Sequence, residues 1–184
     1  IFTDIVADAK RASQVIRNLR ELFGMKKMEF IPLNISTLTI DTLLIMNSEL
    51  INQGVSINTD LSTKQLNVNA NRIQLQQLLI NLITNSMQAM QRSEKTDRWI
   101  SINTTLDNDD QVVLCLADNG PGINPEQLET IFDPLMTTKE EGTGMGLAIS
   151  KSIVQAHGGR IWAENIPQGG ACINLTLPSA EILS

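Results

Sequence analysis

Residues 71–92 have the sequence NRIQLQQLLINLITNSMQAMQR, the most regular pattern in the chain. Their apolar side chains recur at the 3.6-residue period of an α-helix, at Leu75, Leu78, Leu79, Leu82, Met87 and Met90. This stripe predicts a helix with one face packed in a core. Asn81 and Asn85 are four residues apart, so they share a second face of the same helix, offset from the leucines.

Strand and turn patterns surround this helix on both sides. Several short segments either alternate apolar and polar residues or are bounded by Pro and Gly, both of which are typical of strands. They lie at residues 30–35, 55–59, 66–68, 100–102, 112–116, 160–164 and 171–177. Two more helices are predicted at residues 36–51 and 144–157. The run Asp107-Asn108-Asp109-Asp110 is typical of a hairpin turn. We expect an α+β fold, a two-layer α/β sandwich whose mixed, mainly antiparallel sheet is covered by helices on one face.

The N-terminal segment has a different period. Apolar or small residues alternate at spacings of three and four, as in a coiled-coil seam, at Phe2, Ile5, Ala9, Ala12, Ile16, Leu19 and Phe23. A helix of this kind needs a partner helix to cover its stripe, and Gly24 is a plausible end for it. We therefore divide the chain into one long heptad helix, residues 1–24, and one domain, residues 25–184.

Composition excludes several classes of protein. The 184 residues carry 14 Lys plus Arg against 20 Asp plus Glu, with no Tyr and no basic cluster, which makes nucleic acid a poor partner. No apolar run is long enough to span a bilayer, so we expect no direct membrane contact by this segment, although a parent protein can still be anchored elsewhere. Cys115 and Cys172 are 57 residues apart without a CxxC pair, which excludes a structural zinc site. We expect both to be buried thiols in a reducing compartment.

The segment Gly142-Thr143-Gly144-Met145-Gly146-Leu147 leads into the last predicted helix. Alternating glycines allow backbone amides to approach an anion, and the helix N-terminus adds partial positive charge. Residues 130–143 before it have no period and predict a long loop of the kind that covers binding sites. Taken alone, the glycines are equally compatible with a mobile loop and with a phosphate-binding loop.

A second candidate is Asp118-Asn119-Gly120-Pro121-Gly122-Ile123, directly after a strand. A carboxylate at a strand end can accept from the exocyclic amine of adenine, whereas guanine would present an opposing oxygen. Taken alone, the segment is more typical of an ordinary Asn-Gly turn.

The third candidate is the pair Asn81 and Asn85. Two carboxamide oxygens on one helical face can ligate Mg²⁺, which prefers oxygen ligands. Without further context they also fit a solvated polar face.

The order of these segments resembles the N, G1, F and G2 boxes of sensor histidine kinases. The matching stretches are Asn81-Leu82-Ile83-Thr84-Asn85, Asp118 to Ile123, Ile131-Phe132-Asp133-Pro134 with Thr137-Thr138-Lys139, and Gly142 to Leu147. The resemblance runs from about Phe30 to Pro178, and the Asn85 to Met90 segment is most similar to oxygen- and nitrogen-sensing kinases. It implies the Bergerat-type ATP fold of the superfamily that includes gyrase, Hsp90 and MutL.

The resemblance also implies residue roles. Asn85 would ligate Mg²⁺ with help from Asn81, Asp118 would bind adenine, and Lys139 would hold phosphate, so that Asn81, Asn85 and Lys139 carry the catalysis. The implied ATP-binding set is completed by Gly120, Gly122, Ile123, Phe132, Thr137, Thr138, Gly142, Thr143, Gly144, Met145, Gly146, Leu147 and Thr176. The implied cofactors are ATP and Mg²⁺, with residues 130–143 as the ATP lid.

The implied activity is ATP-dependent phosphorylation of a histidine, followed by relay to a response regulator receiver domain. The heptad helix would be the second helix of a dimerisation hairpin, so the intact protein would be a homodimer. The phosphoacceptor histidine would lie on the first hairpin helix; His157, the only histidine, matches a structural His-Gly-Gly turn. The segment is expected to be cytoplasmic. The alternatives are an ATP-sensing pseudokinase or scaffold module, and a hydrolase, although Asn81 stands where the superfamily's ATPases place a Glu.

Overall fold

The computed structural model describes residues 29–93, 95–134 and 144–180. The predicted heptad helix and most of the predicted lid lie outside these ranges. The described strands are β1 (Ile31–Asn34), β2 (Val55–Leu61), β3 (Asn67–Ala70), β4 (Arg98–Leu106), β5 (Gln111–Asp118), β6 (Arg160–Asn165) and β7 (Ala171–Pro178). The described α-helices are α1 (Ile35–Asn52), α2 (Arg72–Gln91) and α3 (Gly146–Ala156), with a 3₁₀ turn at Pro125–Gln127.

The main sheet has the strand order β2-β4-β5-β7-β6. Strand β2 runs parallel to β4, and every other neighbouring pair in this sheet is antiparallel. Strands β1 and β3 form a separate two-stranded ribbon. The arrangement confirms the predicted mixed, mainly antiparallel α+β fold.

Side-chain alternation along the central strand β5 separates the two faces of the sheet. Val112, Leu114 and Leu116 are buried in the core with the leucines of α2. Their neighbours Val113 and Cys115 have the opposite orientation and are half-buried. Asp118 has the same parity as the core residues, so β5 delivers its carboxylate to the face that the helices cover.

Helix α2 forms because its first turn is capped and its apolar stripe is buried. The Asn71 side chain accepts from the backbone N–H of Gln74 at 3.1 Å, which satisfies one of the free amides at the helix start. Leu75, Leu78 and Leu82 are each at most 2% exposed. Each buried leucine contributes about 1.5–3 kcal/mol, so this face fixes α2 against the sheet.

His157 links the end of α3 to the start of α2 through hydrogen bonds. Its Nε2 accepts from the backbone N–H of Asn71 at 3.0 Å, so its Nδ1 carries the proton and donates to the carbonyl of Ile153 at 2.7 Å. Burial lowers the pKa of His157. This placement agrees with the structural role that the sequence pattern predicts.

The two cysteines correct one expectation. Cys115 and Cys172 form a disulfide between β5 and β7, with their Cα atoms 6.5 Å apart, and are not free thiols. The sequence places each within a strand but does not give the strand register. Register brings them together because Cys115 pairs with Asn174 and Ala117 pairs with Cys172. Among the helices of the described residues, none is both long and apolar enough to cross a membrane.

Candidate functional site

The Asp118 carboxylate lies buried at the end of β5 and is only 6% exposed. Its Oδ2 accepts from the Ser86 hydroxyl at 2.8 Å, and its Oδ1 accepts from the Gly120 backbone N–H at 2.9 Å. Burial raises the pKa of Asp118, while the hydrogen bonds from Gly120, Ser86 and the Ala171 backbone oppose that shift. The site is therefore a buried acceptor held in place by three donors.

The backbone beside Asp118 is packed too closely for any side chain at Gly170. A Cβ added at Gly170 would lie 1.9 Å from the Asp118 carbonyl oxygen, and Gly170 has φ +109°. Both the space and the dihedral require glycine. The start of β7 is thereby held against the end of β5, which brings the Ala171 N–H to the carboxylate.

Two consecutive residues of α2 face two different parts of the site. Ser86 contacts Asp118 as described, and Asn85 faces Gly146, the first residue of α3. A Cβ added at Gly146 would lie 3.6 Å from Asn85 Nδ2, an ordinary van der Waals distance. The N, G1 and G2 segments, far apart in sequence, therefore meet around one turn of α2.

The end of the site near Asn85 offers polar groups suited to an anion and a hard cation. The Asn81 side-chain amide nitrogen is buried and has no hydrogen-bond partner among the described residues. Helix α3 starts without a side-chain cap, since Met145 at its N-cap position makes no such bond. Within the described residues there is no cluster of three or more His, Cys, Asp or Glu. The carboxamide oxygens of Asn81 and Asn85 are ligands of the kind that Mg²⁺ prefers. The unpartnered Asn81 N–H group and the uncapped helix N-terminus can both donate to an anion such as phosphate, whereas only the carboxamide oxygens can ligate Mg²⁺.

The turn after Asp118 is anchored by residues outside the predicted motifs. Asn119 accepts from the Trp99 N–H at 3.0 Å and donates to the Asp97 carbonyl at 2.6 Å. Its own carbonyl accepts from Lys95 Nζ at 3.0 Å. Sequence reasoning missed this support, and also Ser86, because hydroxyl and lysine side chains are common on helix and loop surfaces and carry no motif.

The second half of the G1 turn is held by Asn165 at the end of β6. Asn165 accepts from the Ile123 N–H at 2.8 Å and donates to the Ile123 carbonyl at 2.6 Å. A Cβ at Gly122 would meet the Asn165 side-chain oxygen at 3.0 Å. The predicted positions Gly120, Gly122 and Ile123 are thus gathered beside Asp118.

Other predicted residues fall into three groups. Met145 is buried, Leu147 packs against the core, and Gly144 precedes α3, so these three lie at the Asn85 end. Phe132 is buried in the core, and the segment around it is tied to α3 through an ion pair between Asp133 and Lys151 at 3.6 Å. The remaining predicted residues, Thr137, Thr138, Lys139, Gly142 and Thr143, lie outside the described residues.

The placement of Thr176 needs correction. Thr176 pairs with Val113, five positions along β5 from Asp118, roughly 16 Å away at the usual strand rise. Its parity on β7 is opposite to that of the buried Leu175 and Leu177, so it faces away from the helices. The position on β7 next to Asp118 is Ala171. The family resemblance assigned Thr176 by its place in the closing segment of the sequence, without the register that pairs β7 with β5.

Comparison with known proteins identifies the family. Residues 70–181 match the family described as "Histidine kinase-, DNA gyrase B-, and HSP90-like ATPase", which covers more than half of the chain. The chain belongs to this family. Within the family, it is the catalytic domain of a sensor histidine kinase, as the following relatives indicate.

The sensor histidine kinase TmoS of Ectopseudomonas mendocina is 35% identical over 175 residues, 95% of this chain. The sensor protein FixL of Bradyrhizobium diazoefficiens is 35% identical over 173 residues, 94% of this chain. The chain spans 18% of the length of TmoS and 34% of the length of FixL.

Solved structures of the histidine kinase ThkA have the same fold. Its nucleotide-free catalytic domain is 31% identical with a TM-score of 0.73, covering 82% of this chain and 96% of that one. ThkA in complex with the response regulator protein TrrA is 25% identical with a TM-score of 0.77, covering 96% of this chain and 49% of that one.

Proposed function

We propose that this domain binds Mg·ATP and transfers the γ-phosphoryl group to a histidine on the hairpin of the intact kinase. The observation that carries the proposal is the junction on α2. Asn85 faces Gly146 at the start of α3, and the next residue, Ser86, donates to Asp118 at the end of β5. One helical turn therefore contacts both regions to which the family resemblance assigns the two ends of ATP.

Asp118 is proposed to select adenine. An ionised carboxylate accepts from the exocyclic amine of adenine, whereas the O6 of guanine would face it as a second acceptor. Burial works against ionisation, and the donors Ser86, Gly120 and Ala171 counteract it. Because these donors are already in place, the acceptor needs no rearrangement to receive the base.

The Asn85 end is proposed to hold the triphosphate and its magnesium. The side-chain oxygens of Asn85 and Asn81 would ligate Mg²⁺, and the free amides at the start of α3 would contact phosphate. Bound Mg²⁺ neutralises phosphate charge during phosphoryl transfer. Lys139, with Thr137, Thr138, Gly142 and Thr143, is proposed to complete the phosphate contacts from the lid.

The absence of a carboxylate at residue 81 favours transfer to histidine over transfer to water. A neutral imidazole attacks through its own lone pair, whereas a water molecule needs a base to take its proton. Asn81 is a carboxamide and cannot accept that proton at neutral pH. The role of the domain is then to position ATP and shield its charge.

The proposal extends to the partners of the whole protein. The complex of ThkA with TrrA supports a response regulator as the receiver of the phosphoryl group. Dimerisation through the segment at residues 1–24 and a cytoplasmic location, where ATP is available, complete the proposed arrangement. The reducing conditions of that compartment favour the thiol forms of Cys115 and Cys172 over their disulfide.

Replacing Asn85 with Ala tests the metal end of the site. Magnesium-dependent ATP affinity, measured by calorimetry with and without EDTA, should fall by about 100-fold or more, because a ligand of the ion is lost. Asn47→Ala is the matched control, since Asn47 is exposed on α1. Equal affinities in the two variants would reject the metal assignment.

Phosphoryl transfer is tested separately in trans. The domain is incubated with labelled ATP and a hairpin fragment that carries the phosphoacceptor histidine, and acid-labile phosphohistidine is expected on the hairpin. Micromolar ATP binding without transfer would favour the pseudokinase alternative. Rapid ATP hydrolysis without transfer would favour the hydrolase.

A further inference from the structure

Lys95 lies in the short connection between α2 and β4, outside all four matched motifs. Its Nζ donates to the Asn119 carbonyl at 3.0 Å. The same Nζ lies 3.7 Å from the position that a Cβ would take at Gly169. The ammonium group therefore sits between the turn that follows Asp118 and the turn that joins β6 to β7.

The whole connection acts on Asn119, the residue directly after Asp118. The Asp97 carbonyl and the Trp99 N–H bind its side chain, at 2.6 and 3.0 Å, while Lys95 binds its main chain. Three hydrogen bonds from five residues of chain thus converge on one residue. Of these three contacts, that of Lys95 is the one that carries charge.

We propose that Lys95 is a positioning residue for base recognition, which holds the Asp118–Gly120 turn against the Gly169–Gly170 turn through the Asn119 carbonyl. The inference rests on the proposed role of Asp118 in adenine binding. Gly170 packs directly on the Asp118 carbonyl, so the turn that Lys95 binds and the turn beside which its Nζ lies are the two that enclose the acid. Lys95 acts through Asn119 and is not placed in contact with the nucleotide.

Lys95 is an exposed side chain, and its position beside the Asn119 turn distinguishes it from other exposed lysines such as Lys64. The groups that act on the Asp118 carboxylate are Ser86 from α2, the N–H groups of Gly120 and Ala171, and Lys95. Among these, Lys95 alone has a formal charge, and it lowers the pKa of Asp118 against the larger effect of burial. Lys95 also lines an open cavity of about 650 Å³ with Asn119 and Gly169, so water reaches it and its effect is screened. A moderate effect, larger at low salt, is expected.

The test compares Lys95→Met with Lys95→Arg and with Lys64→Met. Lys64 is an exposed lysine before β3, so its replacement removes the same charge and leaves the site untouched. By calorimetry at pH 7.5 and low salt, Lys95→Met should bind ATP about fivefold more weakly than the unmodified domain. Lys95→Arg should return affinity to within about twofold, and Lys64→Met should leave it unchanged. Unfolding midpoints of all variants are measured in parallel.

A second readout separates positioning from general stability. An NMR titration that follows the side-chain carboxyl carbon of Asp118 should give a higher pKa in Lys95→Met than in the unmodified protein or in Lys64→Met. ATP affinity of Lys95→Met should accordingly fall more steeply between pH 7.5 and 5.5. Unchanged affinity together with an unchanged Asp118 pKa would overturn the inference. If the unmodified domain binds no ATP, the proposed function fails, and the titration of the nucleotide-free protein still decides whether Lys95 acts on Asp118.

Discussion

Replacing Ser86 with Ala removes one donor from the buried acid and should destabilise the domain measurably. The Ser86 hydroxyl lies 2.8 Å from Asp118 Oδ2, and both residues are less than 9% exposed. A hydrogen bond to a charged group contributes about 1.5–3 kcal/mol net, and the lost partner leaves a carboxylate oxygen buried and short of a donor. We expect a loss of about 2 kcal/mol in the free energy of unfolding at pH 7.5, close to a 30-fold change in the unfolding equilibrium.

The sign of the pH dependence follows from the raised pKa of Asp118. At a pH between the unfolded and native pKa values of Asp118, the native state holds a proton that the unfolded state has lost. Ionisation of Asp118 therefore lowers the free energy of unfolding at neutral pH, and acidification raises that free energy again. Removing the Ser86 donor raises the native pKa further. The loss in the free energy of unfolding caused by Ser86→Ala should therefore be largest at neutral pH and should shrink below the native pKa of Asp118.

Urea unfolding, followed by the fluorescence of the two tryptophans, measures this deficit. The control is Ser150→Ala, because Ser150 is also buried but donates to the Gly146 carbonyl within its own helix at 2.9 Å. In an Asp118→Asn background, the cost of Ser86→Ala should fall by at least 1 kcal/mol, whereas that of Ser150→Ala should not change. Strict additivity of Ser86→Ala and Asp118→Asn would refute the reasoning.

Three further predictions concern the packing of Gly170, the buried His157 and the disulfide. Gly170→Ala should abolish ATP binding and lower the thermal midpoint in a melting assay, since its Cβ would lie 1.9 Å from the Asp118 carbonyl oxygen; retained affinity would show that the two turns can separate. His157 has a lowered pKa and is held neutral, so the free energy of unfolding should fall as pH drops below about 6.5, by at most about 1.4 kcal/mol per pH unit. In urea titrations at several pH values, His157→Gln should flatten that slope. The Cys115–Cys172 disulfide joins residues 57 positions apart, so reducing it should lower the free energy of unfolding by up to about 4 kcal/mol through the restored chain entropy of the unfolded state. An unchanged urea midpoint after reduction and alkylation would contradict this.

Local patterns predicted most of the fold. The leucine stripe of α2, the alternation in β5 and the Asp107–Asp110 turn each depend on neighbours close in sequence, and all three elements were found where the patterns placed them. The α2 boundaries agree to within one residue, and Asn71, the first residue of the predicted helix, is the observed cap.

Contacts that depend on strand register could not be predicted. The Cys115–Cys172 bond and the placement of Thr176 both require knowing which residues of β5 and β7 are opposite each other. A shift of two positions keeps the same apolar alternation but changes every partner. The contacts of Ser86 and Lys95 could not be predicted for a related reason. Each side chain binds a residue more than 20 positions away in sequence.

The adjacency of Asn85 and Ser86 links the two halves of the cleft mechanically. Sliding α2 by one residue would move it about 1.5 Å and turn it by 100°, which would break the contact with β5 and the approach to α3 together. The two regions that are proposed to bind the metal and the base therefore cannot move independently of each other. Amide hydrogen exchange in the middle of α2 should slow whichever end of the ligand is occupied.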